Sequence, residues 1–326
     1  MAGLLHNRIL VAVDGSEHAL DMVRYASKTI PHGGEGGFHV VLLHVVANLP
    51  ESFYDFEKGS AYHYKLINTS QWEAQQQETI GRFMDQARRI FLDEGFAQDS
   101  ITTLTRIRKV GIARDIIEES QRGYDAVVVG RKGLSPLKDL VMGSIATKLV
   151  VKLAQVPLWI VGSELQRKKI LVCLDRSEGA LQAMDFVGKL LGGSSSDFEV
   201  TLFHVINDPE AFPQGFGDYL APDLEQELMQ RAEKKAEEDE LAMETVLKEA
   251  GARLEIAGFE PTRVSRKIVR GGGKKAGIIA EEAQRGGYDT IVVGRRGLSK
   301  VQEFFMGSVS KQVIDLTRDK TVWVAS

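Results

Sequence analysis

The sequence repeats itself at long range. The run RILVAVDGSEHAL at 8–20 returns as KILVCLDRSEGAL at 169–181, and VVLLHVV at 40–46 returns as VTLFHVI at 200–206. QRGYDAVVVGRKGLS at 121–135 returns as QRGGYDTIVVGRRGLS at 284–299, and VMGSIATKLV at 141–150 as FMGSVSKQVI at 305–314. Asp14 thus corresponds to Asp175, His44 to His204 and Gly130 to Gly294, at spacings of 161, 160 and 164 residues. Block order is kept and only the connections change length. A period this long marks a duplicated domain, not a solenoid of small units. The 326 residues suit two domains of ordinary size. The expected division is 1–163 and 168–326, with the joint between Gly162 and Lys168.

Within each copy, short β-branched runs alternate with helical patterns. Copy one predicts strands over 8–13, 38–46, 101–110, 125–130 and 157–162. Copy two predicts them over 169–174, 199–206, 263–270, 289–294 and 321–325. Runs such as ILVAV and TIVVG are continuously apolar, as strands covered on both faces should be. Five strands alternating with helices imply right-handed crossovers and a parallel sheet. The expected class is therefore α/β, two tandem doubly wound domains. Helices are expected over 16–30, behind a Ser16 cap, and over 70–95, 112–122 and 144–153. Residues 224–250 read as an amphipathic helix with a Glu- and Lys-rich solvent face and Leu224, Leu228, Leu241 and Leu247 turned inward. Residues 47–69 and 207–223 read as long aromatic-containing connections, suited equally to lids, interface loops or surface packing.

The chemistry is concentrated after the fourth strand of each copy. There the chain carries Gly-x-x-Gly, nine residues, then Gly-Ser: Gly130, Gly133, Gly143 and Ser144, and again Gly294, Gly297, Gly307 and Ser308. Glycine permits positive φ and lets a ligand approach the backbone without a Cβ in the way. A Gly-Ser at a helix start presents free N–H groups and the positive end of the helix dipole, an anion site. The dipole alone contributes only about 0.3–1 kcal/mol, so further hydrogen bonds and positive charge are needed. Ser144 and Ser308 can donate a hydroxyl, and Arg131, Lys132, Arg295 and Arg296 offer charge nearby. The spacing is not that of the mononucleotide P-loop, nor of the dinucleotide fingerprint after a first strand. Asp14 and Asp175 end the first strands. If strands one and four are neighbours, each Asp shares a crevice with the glycine loop and can accept from ribose hydroxyls or an adenine amine. Alternatively, each opens a turn, since DGS and DRS are good turn sequences.

Other classes are disfavoured. A net charge of −4 gives no whole-chain pull toward nucleic acid or anionic lipid. No apolar stretch approaches the ~18 residues that span a bilayer, and the N-terminus lacks a signal pattern, so a cytoplasmic location is expected. The single cysteine, Cys173, excludes an intramolecular disulfide and reads as core. His44 and His204 have no second His or Cys at metal-ligand spacing; buried, hydrogen-bonded histidines are favoured and no metal site is expected.

The Asp after strand one, LLHV in strand two and the glycine pattern after strand four resemble the universal stress protein family, over essentially the whole chain and twice. The resemblance implies a five-stranded parallel sheet of order 3-2-1-4-5 and binding of ATP, with AMP or ADP as alternatives and Mg2+ accompanying the nucleotide. It implies that Asp14 and Val45 contact adenosine while Gly130, Gly133, Gly143 and Ser144 hold ribose and phosphates. It also implies Gly111, before the third helix, as a further contact. The counterparts are Asp175, Val205, Gly294, Gly297, Gly307 and Ser308, with Gly111's own counterpart ambiguous and Arg176 standing where copy one has Gly15. It implies too that PLWIVG and TVWVAS meet as fifth strands in an intramolecular pseudo-dimer, which can pair again as a homodimer. The function expected is nucleotide-dependent conformation or protein-partner binding in a stress response, without efficient catalysis. Slow ATP hydrolysis, or a scaffold with one or both pockets unused or differently filled, are the alternatives.

Overall fold

The computed structural model describes residues 7–33, 37–46, 60–133, 142–162, 166–192, 197–208, 222–295 and 306–325. Half one runs β1 (Arg8–Val13), α1 (Glu17–Thr29), β2 (His39–Val46), α2 (Ser60–Asp93), β3 (Ile101–Ile107), α3 (Ile112–Ser120), β4 (Ala126–Gly130), α4 (Ser144–Lys152) and β5 (Leu158–Val161). Half two repeats it as β6 (Lys169–Cys173), α5 (Glu178–Leu191), β7 (Glu199–Asn207), α6 (Pro222–Ile256), β8 (Val264–Gly271), α7 (Lys275–Arg285), β9 (Thr290–Gly294), α8 (Ser308–Leu316) and β10 (Thr321–Ala325). The strands predicted from apolar runs are all present, shifted at their ends by a few residues.

All ten strands lie in one sheet of order β3-β2-β1-β4-β5-β10-β9-β6-β7-β8. Each half is therefore 3-2-1-4-5, and pairing within each half is parallel. The halves meet where β5 and β10 pair antiparallel, Trp159 opposite Trp323. Both indoles are fully buried and stacked, with centroids 4.3 Å apart and planes 9° apart. Tyr25 of α1 crosses the seam to Thr290 of β9, 2.6 Å between hydroxyl oxygens. Alternate strand residues feed two cores, one on each face of the sheet, and both cores run through both halves.

Three expectations change. The connection placed over 47–69 is helix from Ser60 onward, ten residues before the expected start of that helix. The rest of that connection and 209–221 lie outside the described residues. In α6, Leu247 is buried, but Leu224 and Leu241 are exposed. The inward face is Ala236, Met243, Leu247, Ala250 and Leu254. Leu241 precedes Met243 by two positions, about 200° around the helix, and so faces water. The third-strand apolar run also ends early: Val110 is exposed beyond β3.

Candidate functional site

Because β1 pairs with both β2 and β4, its C-terminal end marks the point where the strand order reverses. Crevices in open α/β sheets lie there. The helices that start around this edge differ in how their first amides are covered. Ser16 caps α1 by accepting from the Ala19 amide at 3.2 Å, and Ser177 caps α5 by accepting from Ala180 at 3.3 Å. In α3, α4, α7 and α8 the cap positions are Gly111, Gly143, Lys274 and Gly307, and none has a side-chain cap. Among the described residues no side chain at the cap position takes the leading N–H groups of α4 and α8, which can serve another acceptor. Ser144 and Ser308, the first residues of these helices, are exposed.

The glycines act by close approach. None of Gly130, Gly133 and Gly143 takes a left-handed φ, so of glycine's two uses only close approach applies to them. A Cβ on Gly130 would sit 3.0 Å from the Lys132 carbonyl, and one on Gly133 would overlap Asp14 Oδ2. A Cβ on Gly143 would lie 3.4 Å from the Arg131 carbonyl and 3.9 Å from the Gly133 amide nitrogen. Gly143 donates its N–H to that Arg131 carbonyl at 2.8 Å, folding the loop's two ends together. Gly307 repeats this on Arg295 at 2.9 Å. Gly297 lies outside the described residues. Gly111 is extended, with open space where a Cβ would be.

Asp14 makes the turn into α1 and also lies against the glycine loop. Its Oδ1 accepts from the Ser16 amide at 3.0 Å and hydroxyl at 2.7 Å, making the turn into α1, while Oδ2 faces Gly133. Asp175 accepts from the Ser177 amide at 2.9 Å and from its hydroxyl. Behind each Asp is a histidine. His44 Nδ1 donates to the Val13 carbonyl at 3.0 Å and His204 Nδ1 to the Leu174 carbonyl at 2.6 Å. Burial holds both imidazoles below their ordinary pKa, against a raising pull from these carbonyl bonds. Val45 and Val205 are buried in the core, so their side chains anchor the strand ends. Cys173 packs against the same core, and burial pushes its thiol pKa up. Among the described residues no group of three or more His, Cys, Asp or Glu is placed to hold a metal.

One supporting residue carries no sequence signal beyond being an acid in a helix's first turn. Asp115, buried in α3, accepts from the Lys109 and Val110 amides at 2.9 and 3.2 Å and so fixes the turn that delivers Gly111. Half two has a Gly271–Gly273 run in place of that turn, and Lys274 occupies the cap position that Gly111 holds in half one. This settles the ambiguous correspondence.

Two of the four basic residues expected to serve the loop do not. Arg131 and Arg295 are buried and point across the seam. Arg131 donates to the Ile314 carbonyl at 2.7 Å and to Lys320 at 3.2 Å, while Arg295 donates to the carbonyls of Leu153, Val150 and Val151. Each is the first residue past its strand, where the side chain turns to the neighbouring half. Lys132 is exposed, and Arg296 lies outside the described residues.

The sequence model of the universal stress protein family matches residues 6–162 and again 166–323. The chain belongs to the universal stress protein family. A universal stress protein of Mycolicibacterium smegmatis is 28% identical over 145 residues, 44% of this chain and 44% of that relative, so the match spans less than half of either. A universal stress protein from Archaeoglobus fulgidus DSM 4304 superposes with a TM-score of 0.57 at 17% identity, covering 98% of both chains. A protein of unknown function from Pseudomonas aeruginosa PAO1 gives 0.55 at 15% identity, covering 98% of this chain and 92% of its own. These likenesses establish the tandem universal stress protein fold. Among the described residues no helix is long and apolar enough to cross a membrane.

Proposed function

We propose that this universal stress protein binds an adenine nucleotide, ATP by preference and AMP or ADP as alternatives, and acts in a stress response through nucleotide-dependent conformation or partner binding, not catalysis. The single observation that carries this is the paired start of α4 and α8. Each helix opens without a side-chain cap behind a glycine folded onto the loop's own backbone. Such an N-terminus takes phosphate oxygens, with Ser144 and Ser308 adding a hydroxyl. Asp14 and Asp175, beside them at the ends of β1 and β6, would accept from ribose or the adenine amine. Val45, Val205, Gly111, Gly130, Gly133, Gly294 and Gly297 would line the remainder. No carboxylate cluster among the described residues could hold an ion alone, so Mg2+ would arrive on the phosphates. The working units would be residues 1–163 and 168–326, in the cytoplasm, with a further homodimer and a protein partner as additional expectations.

A second reading has its own observation. In half two, Arg176 pairs with Asp239 of α6 at 3.0 Å, beside the crevice. That bridge favours one working site in half one and a second site that is closed or differently filled.

The test is to denature freshly purified protein, quantify the released nucleotide per chain, then titrate the stripped protein with ATP and magnesium. Two equivalents support both sites; one, lost in Gly143→Val and kept in Gly307→Val, supports the second reading. No release and no binding would remove the nucleotide from the proposal and leave the scaffold. ATP turnover at ordinary enzyme rates, ~1 per second or more, would overturn the non-catalytic assignment.

A further inference from the structure

Arg131 and Arg295 are expensive to bury, and the helix ends they reach are informative. Arg295 donates to Val150, Val151 and Leu153 carbonyls, which close the C-terminus of α4 in the opposite half. Arg131 donates to Ile314 in the last turn of α8 and to Lys320 just beyond it. A cation forked onto otherwise unpaired terminal carbonyls satisfies them and complements the helix dipole. Burial lowers Arg131 to about 10, partly offset by Asp315 and Asp319, so it stays charged at neutral pH.

The backbone of each arginine does a second thing. The Arg131 carbonyl receives the Gly143 amide at the start of α4, and the Arg295 carbonyl receives the Gly307 amide at the start of α8. Their own amides are tied to the fifth strands, Arg131 to Val161 and Arg295 to Ala325, both at 2.8 Å. The contacts close a circuit. Arg131 holds the start of α4, Arg295 holds its end, Arg295 also holds the start of α8, and Arg131 holds that end.

We infer that Arg131 and Arg295 are positioning residues acting in trans: each guanidinium fixes the helix whose N-terminus faces the other half's crevice. The inference deepens the proposed function and rests on it for its ligand. The two crevices are then coupled, because displacing either glycine loop moves an arginine that seats the opposite helix. A side chain serving only the loop it borders would give the reverse assignment of effects.

The test exploits that crossing. With half two disabled by Asp175→Ala, which leaves the Gly307–Arg295 bond in place, Arg295→Met should weaken Mg-ATP binding to half one by on the order of tenfold, the scale of ordinary intersite coupling. With half one disabled by Asp14→Ala, which leaves the Gly143–Arg131 bond in place, Arg131→Met should do the same to half two. Lysine at either position keeps the charge but not the fork and should restore part of the loss. If a methionine variant fails to fold, the lysine variants carry the same comparison with a smaller effect of the same crossed sign. Loss confined to the half that contains the substituted arginine would overturn the inference. Hydrogen exchange on the nucleotide-free full chain separates this from failure of the function itself. Arg295→Met should speed exchange over 144–153, and Arg131→Met over 308–317. Exchange rising only beside the substituted residue overturns the inference, whereas crossed exchange in a chain that binds no ATP upholds the clamp and overturns the nucleotide.

Discussion

The two halves share a sheet order, a seam and a glycine loop, but differ in the ground beside the loop. Half one has Gly15 at φ +85° after Asp14, Gly111 capping α3 and Ile112 opening it. Half two has Arg176, Lys274 and Lys275 at those places, and its α6 carries Asp239 where α2 carries Gln76. The last correspondence follows from matching helix exits, Phe96 N–H to Phe91 carbonyl and Phe259 N–H to Leu254 carbonyl. At the seam the tryptophan stack and the arginine pair have stayed the same. The stacked tryptophans and crossed arginines each involve both halves, so a change on one side is felt on the other. The flanks have diverged: Gly15, Gly111 and Ile112 stand where half two has three basic residues, one of them bridged to Asp239.

The seam should break first. Trp159 is fully buried against Trp323, Tyr25 and Phe186, and truncating such a side chain typically costs about 3–5 kcal/mol. Trp159→Ala should lower the stability of both halves together, seen in urea unfolding followed by probes in each. If half one alone shifts, the halves are energetically independent and the shared cores do not unite them.

Exchanging the flanks sharpens the comparison at smaller cost. Gly15 is left-handed, and a Cβ there would lie 3.0 Å from Ile80 Cδ1. Gly15→Arg should therefore destabilise half one by about 1–3 kcal/mol, the cost of holding a non-glycine residue in a sparsely populated region. The reverse change, Arg176→Gly, removes an ion pair whose side chains are 45% and 33% exposed, and should cost no more than about 1 kcal/mol. It should instead show in half two's affinity for Mg-ATP, with a shallower salt dependence as a charge is lost. Equal destabilisation by the two swaps would mean that both turns share one backbone geometry.

These contrasts also separate what the sequence could reveal from what it could not. The strands were readable because buried β-branched runs are continuous, and the loop because its glycines recur at fixed spacing. Each half's strand order came with the family resemblance. The directions of Arg131 and Arg295 were not readable. A basic residue beside a phosphate-type loop looks like a phosphate ligand until the antiparallel seam brings the other half's helix end within reach. The Tyr25–Thr290 contact is hidden for the same reason. It joins residues 265 apart, and its symmetry mates, Phe186 and Ala126, have no hydroxyls to suggest it. Helix α2 starts at Ser60, where Tyr62 and Leu66, and Tyr64 and Ile67, already stand at helical spacing inside what reads as an aromatic connection.

The smallest expected difference lies in two equivalent histidines. His44 and His204 are both held below 6.5 by burial and both bond a strand-end carbonyl. Asp14 pulls the pKa of His44 up, whereas His204 feels Lys275 pushing its pKa down against Asp175 and Asp239 pushing up. Lys275→Met should therefore raise the pKa of His204 and leave His44 still, while Asp239→Asn should move His204 further down. Imidazole proton shifts followed by NMR across the titration would read both. Since the folded pKa values lie below the unfolded one, the unfolded chain binds more protons as pH drops. The stability these residues lend is full above about pH 6.5 and is lost as pH falls through their depressed values. Lys275→Met narrows the gap for His204 alone, so the variant should lose less stability on acidification than the parent. If both histidines shift together, the charge of Lys275 acts across the seam, and the flanks are not private to their halves.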